Sequence, residues 1–188
     1  MGVRAIDGDI VLDRSAFALA AHDPGRFDGE PLRPYNVSPD ALLVNYKSLV
    51  MGFLPDVKGG LARIQYDPPL AGMALQPSVP LAPEGTPCGD WHLRLQASLE
   101  LPGRMDFAGS YPAACGARNW AVAPVDSAQF AARAIEGMWR ELGGQLSGAV
   151  RDGRVPQGLE AAMVIESESL AQVVRDINKY SNNVMAQQ

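Results

Sequence analysis

Ser181, Asn182 and Asn183 set a hydroxyl and two carboxamides in succession between two apolar segments. The Ser181 hydroxyl both donates and accepts, so it can pass a proton between a lysine amine and a leaving group. The Asn183 amide can hold the carbonyl of a bound peptide. A Ser-x-Asn tripeptide is also an ordinary cap or turn in many chains, so its meaning depends on its surroundings. His22 and His92 are the only histidines, and neither has a partner at metal-ligand spacing, so no metal site is expected. There is no Gly-rich phosphate loop, Gly-x-Ser-x-Gly elbow or dinucleotide fingerprint, and no cofactor is expected.

The elements around that tripeptide are legible from periodicity. Leu170, Val173, Val174 and Ile177 fall at i, i+3, i+4 and i+7, which predicts an amphipathic helix running into Ser181, with Ser167 as its cap. A helix ending at Gln188 is expected to expose Val184 and Met185. Further upstream, Asp126 with Gln129 reads as a capping box. Phe130, Ala131, Ala134, Ile135 and Met138 form an apolar stripe, and Gly143-Gly144 provides the stop. Trp139 at this spacing reads as core or rim packing rather than a ligand platform. Gln145 to Arg151 and Ala161 to Ile165 read as strands on either side of a Gly/Pro turn.

Between about Pro39 and Pro124 the pattern is that of strands. Leu42 to Phe53 is β-rich, and Leu61 to Tyr66 puts Ala62, Ile64 and Tyr66 on one face. Leu93, Leu95, Ala97, Leu99 and Leu101 alternate with polar residues, His92 falling on the polar face. Pro102-Gly103-Arg104 then turns the chain into a partner strand from Met105 to Tyr111. Cys88 and Cys115 bracket this hairpin, and spacing leaves two readings open: a disulfide, or two unrelated buried thiols. A bond would close a loop of about 27 residues and contribute roughly 3 kcal/mol. Near the N-terminus, Ile10-Val11-Leu12 after Asp7-Gly8-Asp9 reads as a strand that leaves Asp13 in a turn. His22 to Pro31 reads as an exposed loop.

The net charge of −5 and a hydrophobic share of 47% describe an ordinary globular chain and argue against a nucleic-acid surface, which needs clustered Lys and Arg. No apolar run approaches the roughly 18 residues of a membrane span, and no signal segment opens the chain. Asn36-Val37-Ser38 fits the glycosylation pattern, a common coincidence.

Val174-Arg175-Asp176-Ile177-Asn178-Lys179-Tyr180-Ser181-Asn182-Asn183-Val184-Met185-Ala186 resembles the second active-site motif of the class C penicillin-binding proteins, the penicillin-binding protein 4 type D-alanyl-D-alanine carboxypeptidases and endopeptidases. Asp13-Arg14-Ser15-Ala16-Phe17, Asn45-Tyr46-Lys47-Ser48-Leu49 and Ile135 to Gly144 resemble the same family in the same order. That resemblance implies Ser181 and Asn183 as catalytic helpers, and Asp13 and Phe17 at the amino end of the diamino acid of a peptidoglycan stem peptide. It also implies acylation of the parent protein by β-lactams and a periplasmic location, which favours a Cys88–Cys115 disulfide. The family's Ser-x-x-Lys and Lys-Thr-Gly motifs are absent: no serine precedes a lysine by three, and Lys47, Lys58 and Lys179 begin no such triplet. The chain is therefore expected to be an internal fragment, inactive alone. The expected fold is α+β. A strand and loop of an accessory α/β domain (1–38) precede a β-rich inserted domain (39–124). The accessory domain then returns (125–166), and the start of the helical part of a penicillin-recognising domain follows (167–188). The alternative is a non-catalytic cell-wall or partner-binding module.

Overall fold

The Asp7-Gly8-Asp9 turn separates β1 (Ala5–Ile6) from β2 (Ile10–Leu12) in a computed structural model that describes residues 2–18, 22–98, 103–123 and 127–187. Both strands are too short to stand alone and find their partners near the other end of the chain. What lies between is a β-rich body.

The apolar run Leu49–Leu54, broken only by Gly52, builds β3 (Leu49–Asp56), in which Leu49, Met51 and Phe53 point inward with no solvent exposure. It returns antiparallel as β4 (Leu61–Asp67), with Met51 opposite Tyr66 and Phe53 opposite Ile64. Ala62 and Ile64 are buried and Tyr66 half-buried on one face, as the pattern predicts. β5 (Ala74–Leu75), β6 (Ser78–Pro80), β7 (Leu95–Ser98), β8 (Arg104–Gly109) and β9 (Arg118–Val122) complete two sheets, ordered β6-β4-β3-β9 and β5-β8-β7. The predicted hairpin is present, with Ala97 opposite Phe107. Its first strand starts later than expected: Leu93 sits in a 3-10 turn (Trp91–Arg94) and is 77% exposed, while Leu99 and Leu101 lie outside the described residues. His92 belongs to that same turn, not to the polar face of a strand. Gly109, at a φ of 102°, passes so close to the Arg94 carbonyl that a Cβ would lie 1.8 Å from it.

Phe53 is the hub of the core. Its ring stacks on Tyr111 at 5.4 Å and meets Trp91 and Phe107 edge-on at 5.3 and 5.6 Å. The buried Tyr111 hydroxyl donates to the Gly116 carbonyl at 2.8 Å, so no polar group is stranded there. Cys88 and Cys115 are joined by a disulfide beside this cluster, which decides between the two readings.

The helical period after residue 127 yields α1 (Phe130–Glu141), which presents Phe130, Ala131, Ala134 and Gly137 inward. Gly137 is required by contact: a Cβ there would lie 2.1 Å from the Pro69 carbonyl. The expected capping box rests on Asp126, which lies outside the described residues; the Gln129 side-chain oxygen accepts from Arg133 at 3.2 Å. Gly143, at a φ of 80°, ends the helix as expected, and Trp139 packs at the rim with its indole N–H donating to the Gln145 carbonyl at 3.1 Å. β10 (Gln145–Leu146) then runs parallel to β1, and β11 (Val150–Asp152) parallel to β2. Side chains of the first turn fasten this closure: Asp7 accepts from the Ser147 hydroxyl at 2.7 Å and Asp9 from the Ala149 N–H at 2.9 Å.

Residues 161–165 form no strand and have no ladder partner among the described residues, contrary to the β-propensity reading. Met163, Val164 and Ile165 stay exposed because nothing in the described chain pairs with them. α2 (Leu170–Tyr180) and α3 (Asn183–Gln187) close the chain. The fold is α+β, with mainly antiparallel pairing in the β-rich body and parallel pairing where β1 meets β10 and β2 meets β11.

Candidate active site around Ser181 and Asn183

Three consecutive residues at the α2–α3 junction have separate jobs. Ser181 terminates α2 in the left-handed region (φ 50°, ψ 44°), its N–H donating to the Ile177 carbonyl at 2.8 Å. Glycine usually holds that position because a Cβ is disfavoured there. Asn182 starts α3, its Oδ1 accepting the Met185 N–H at 3.1 Å. Asn183 is the first residue of α3 and is half-buried. The Ser181 side chain is exposed, and its hydroxyl has no hydrogen-bond partner among the described residues. At the other end of α2 the cap is Ser169, accepting from the Gln172 N–H at 3.4 Å. Ser167, the expected cap, bonds only the neighbouring Glu168 carbonyl.

The junction is anchored by one residue. Val184 is 0% exposed, clustered with Val37 and Ala123 and flanked by Leu43, so the expected exposure of this residue does not occur. Burying such a side chain stabilises the docked state by roughly 1.5–3 kcal/mol. The partners come from more than 60 residues away in sequence, which is why local periodicity missed them.

Asn183 faces a cavity of about 480 Å³, shared with His22, Arg26, Tyr35, Asn36 and Gln187. Asp28 braces its wall, accepting from the Tyr35 hydroxyl at 2.9 Å and the Asn36 amide at 2.7 Å. Desolvation raises the Asp28 pKa, but hydrogen bonds from the Glu30 amide, Tyr35 and Asn36 outweigh it and hold the carboxyl below its ordinary value. His22 Nε2 lies 2.7 Å from the Asn36 carbonyl, which assigns the proton to that nitrogen. Arg26 has no ion-pair partner among the described residues. The cavity therefore offers the Arg26 guanidinium and the carboxamides of Asn36, Asn183 and Gln187 to a polar ligand. Sequence reading treated residues 22–31 as loop alone; only the fold brings them against α3.

A second polar cluster, also missed, follows this wall in sequence. Asn45, Tyr46 and Lys47 all take positive φ (44°, 50° and 48°), interrupting the β-run expected from Leu42. This turn points Lys47 inward, where its Nζ reaches Asp40 at 3.0 Å and donates to the Ser38 hydroxyl at 2.8 Å. Arg14 donates to the same Asp40 at 2.9 Å and also pairs with Asp152. Desolvation works against the Asp40 carboxylate. The Leu42 N–H, Lys47 and Arg14 prevail and keep its pKa below the ordinary value. Asp40 and Lys47 thus tie the 38–47 segment to the end of β2 and to β11.

Residues 1–188 match the D-Ala-D-Ala carboxypeptidase 3 (S13) family. The chain belongs to that family. Among solved structures it is similar to penicillin binding protein 4 (DacB) from Haemophilus influenzae, with a TM-score of 0.65 and 20% identity over 98% of this chain and 40% of that one. A second structure of that Haemophilus influenzae protein, complexed with a novel β-lactam, gives a TM-score of 0.54 and 17% identity over 98% of this chain and 38% of that one. At these identities the likeness establishes the fold. No curated protein matches the chain. The S13 chain spans about 40% of the length of the solved structures it matches.

Two further residues singled out in this S13 sequence lie apart from the junction. Asp13 holds a turn: its carboxylate accepts the Ser15 N–H at 2.9 Å and the Val155 N–H at 2.8 Å, and these partners, Ser15 foremost, lower its pKa to about 2. Phe17 is half-buried nearby in sequence. Neither lines the cavity beside Asn183. No helix among the described residues is long and apolar enough to cross a membrane.

Proposed function

We propose that this chain supplies the second motif of a serine-type D-Ala-D-Ala carboxypeptidase or endopeptidase acting on peptidoglycan stem peptides. The observation that carries the reading is Ser181, a non-glycine residue kept in a left-handed cap with no hydroxyl partner among the described residues, beside an Asn183 that opens onto a cavity. Backbone strain of this kind concentrates at functional sites.

In this reading the attacking serine and its lysine come from a Ser-x-x-Lys motif outside these 188 residues, as does Lys-Thr-Gly. The serine oxygen attacks the carbonyl carbon of the penultimate D-Ala, and the peptide bond to the terminal D-Ala breaks. The serine proton passes through the Lys–Ser181 relay to the leaving amine, while Asn183 holds the amide carbonyl of the bound peptide. Water then releases the acyl group. A β-lactam follows the first half of the same course and acylates the parent protein.

Asp13, ionised at neutral pH, and Phe17 would receive the amino end of the stem peptide's diamino acid. The Cys88–Cys115 disulfide supports a periplasmic, oxidising location. The β-rich portion, 39–124, would be an insertion between the two halves of an accessory α/β domain, with 167–188 entering the penicillin-recognising domain.

The test is acylation of the intact parent protein by a fluorescent penicillin. Ser181→Ala is expected to slow it by about two to four orders of magnitude, the scale of a lost proton-transfer group; an unchanged rate removes Ser181 from the mechanism. Residues 1–188 alone are expected to show no adduct by mass spectrometry, because the nucleophile is absent from them.

A further inference from the structure

Away from Ser181, a cavity of about 500 Å³ opens between the loop carrying Glu30 and Arg33 and the edge strand β9. Trp120 on β9 is half-buried there, with Trp91 and His92 set edge-on to its ring at 5.9 and 5.0 Å. Leu93 adds an apolar side chain to the same lining and is 77% exposed. Large apolar and aromatic groups left open to water cost free energy unless something covers them.

The polar side chains of this cavity narrow what that something is. Arg33 pairs with Glu30 at 3.5 Å, and the His92 ring lies 3.6 Å from Asp90. Donors and acceptors therefore share the lining with the aromatic patch, and no single sign of charge dominates. An anion would meet two carboxylates, and a cation would meet Arg33. A wholly apolar ligand would strip water from four polar side chains with nothing in return. A pyranose ring suits both features: its C–H face lies against an indole, while its hydroxyls bond to carboxylates and guanidinium together.

We propose that the Trp120 cavity is a saccharide-binding subsite for an uncharged sugar of a glycan strand. The assignment is made from the cavity's own chemistry and does not require Ser181. Where the peptidase reading holds, such a subsite would grip the glycan that carries the stem peptide and so bring the peptide to the protein.

The experiment is titration of the purified protein with chitotetraose, a β-1,4-linked N-acetylglucosamine tetramer, read by tryptophan fluorescence and calorimetry. Saturable binding is expected, and Trp120→Leu is expected to weaken it about tenfold, the scale of one aromatic contact. Trp120 also packs against Trp91 and Phe107, so that variant can lose structure. Leu93→Asp alters an exposed side chain instead and is expected to weaken binding to a similar degree. No saturable binding by the native protein, or full affinity in Leu93→Asp, overturns the proposal. The readout is binding rather than turnover, so Ser181→Ala protein reports on it equally well. A failed saccharide titration leaves the acylation test standing, and a failed acylation test leaves this one standing.

Discussion

β3 and α2 both carry an apolar row, yet β3 hides Leu49, Met51 and Phe53 completely while α2 buries none of its residues and leaves Leu170 77% exposed. The strand finds its covering within the chain, from β4, β9, α1 and the aromatic cluster around Phe53. The helix makes a comparable stripe that stays partly open: Val173 and Ile177 are half-buried, while Leu170 and Val174 are exposed. Amphipathicity thus states what an element needs, not whether this chain supplies it. The candidate site lies where these two regimes meet: α2 is little buried, but Val184 pins its continuation to Val37 and Ala123.

This contrast can be attacked by substitution, strongest first. Phe53→Ala empties the hub of the β-rich core and is expected to cost about 3–5 kcal/mol in urea unfolding; a loss below that range would mean the core does not depend on this ring. Replacing Cys88 and Cys115 together by serine opens a loop with a sequence separation of 27 residues, and is expected to cost about 3 kcal/mol by the same measurement. Val184→Ala removes two methyl groups from the pin, with an expected loss of about 1–2 kcal/mol. The effect should appear as faster hydrogen exchange confined to α3 and the 36–43 segment, with β3 and β4 unaffected. Val174→Lys, on the open face of α2, is expected to shift stability by no more than about 0.5 kcal/mol, the usual range for surface changes. A cooperative loss of the β-rich core in that variant would show that the two regions are one folding unit and would erase the distinction.

Much of the framework could be read in advance because it rests on near neighbours. The alternation in β4 and β7 set their faces, the turn after β7 placed β8 as a partner, and the stripe ending at Gly143 set α1. Ser181 and Asn183 were also legible as a junction between two helices, since a helix needs a stop and the next a start. Prediction failed where a residue's role is decided by a distant partner. Residues 161–165 carry β-propensity but have no strand to pair with. Val184 looked exposed until Val37 and Ala123 covered it. Ser167 and Ser169 both suit a cap on composition, and only the actual entry of the chain into α2 selects Ser169.

From its order of residues alone, the chain determined its class, the period of each main element, and the spot where a hydroxyl and a carboxamide follow one another between helices. These depend on contacts a few residues apart, which spacing encodes directly. Tertiary structure alone decided that Lys47 turns inward to Asp40 and Arg14, that the loop from His22 to Asn36 walls a cavity against Asn183, and that Trp120 shares a second one with Glu30 and Arg33. Each of those joins segments far apart in sequence, and burial and charge pairing between them exist only once the fold has brought them together.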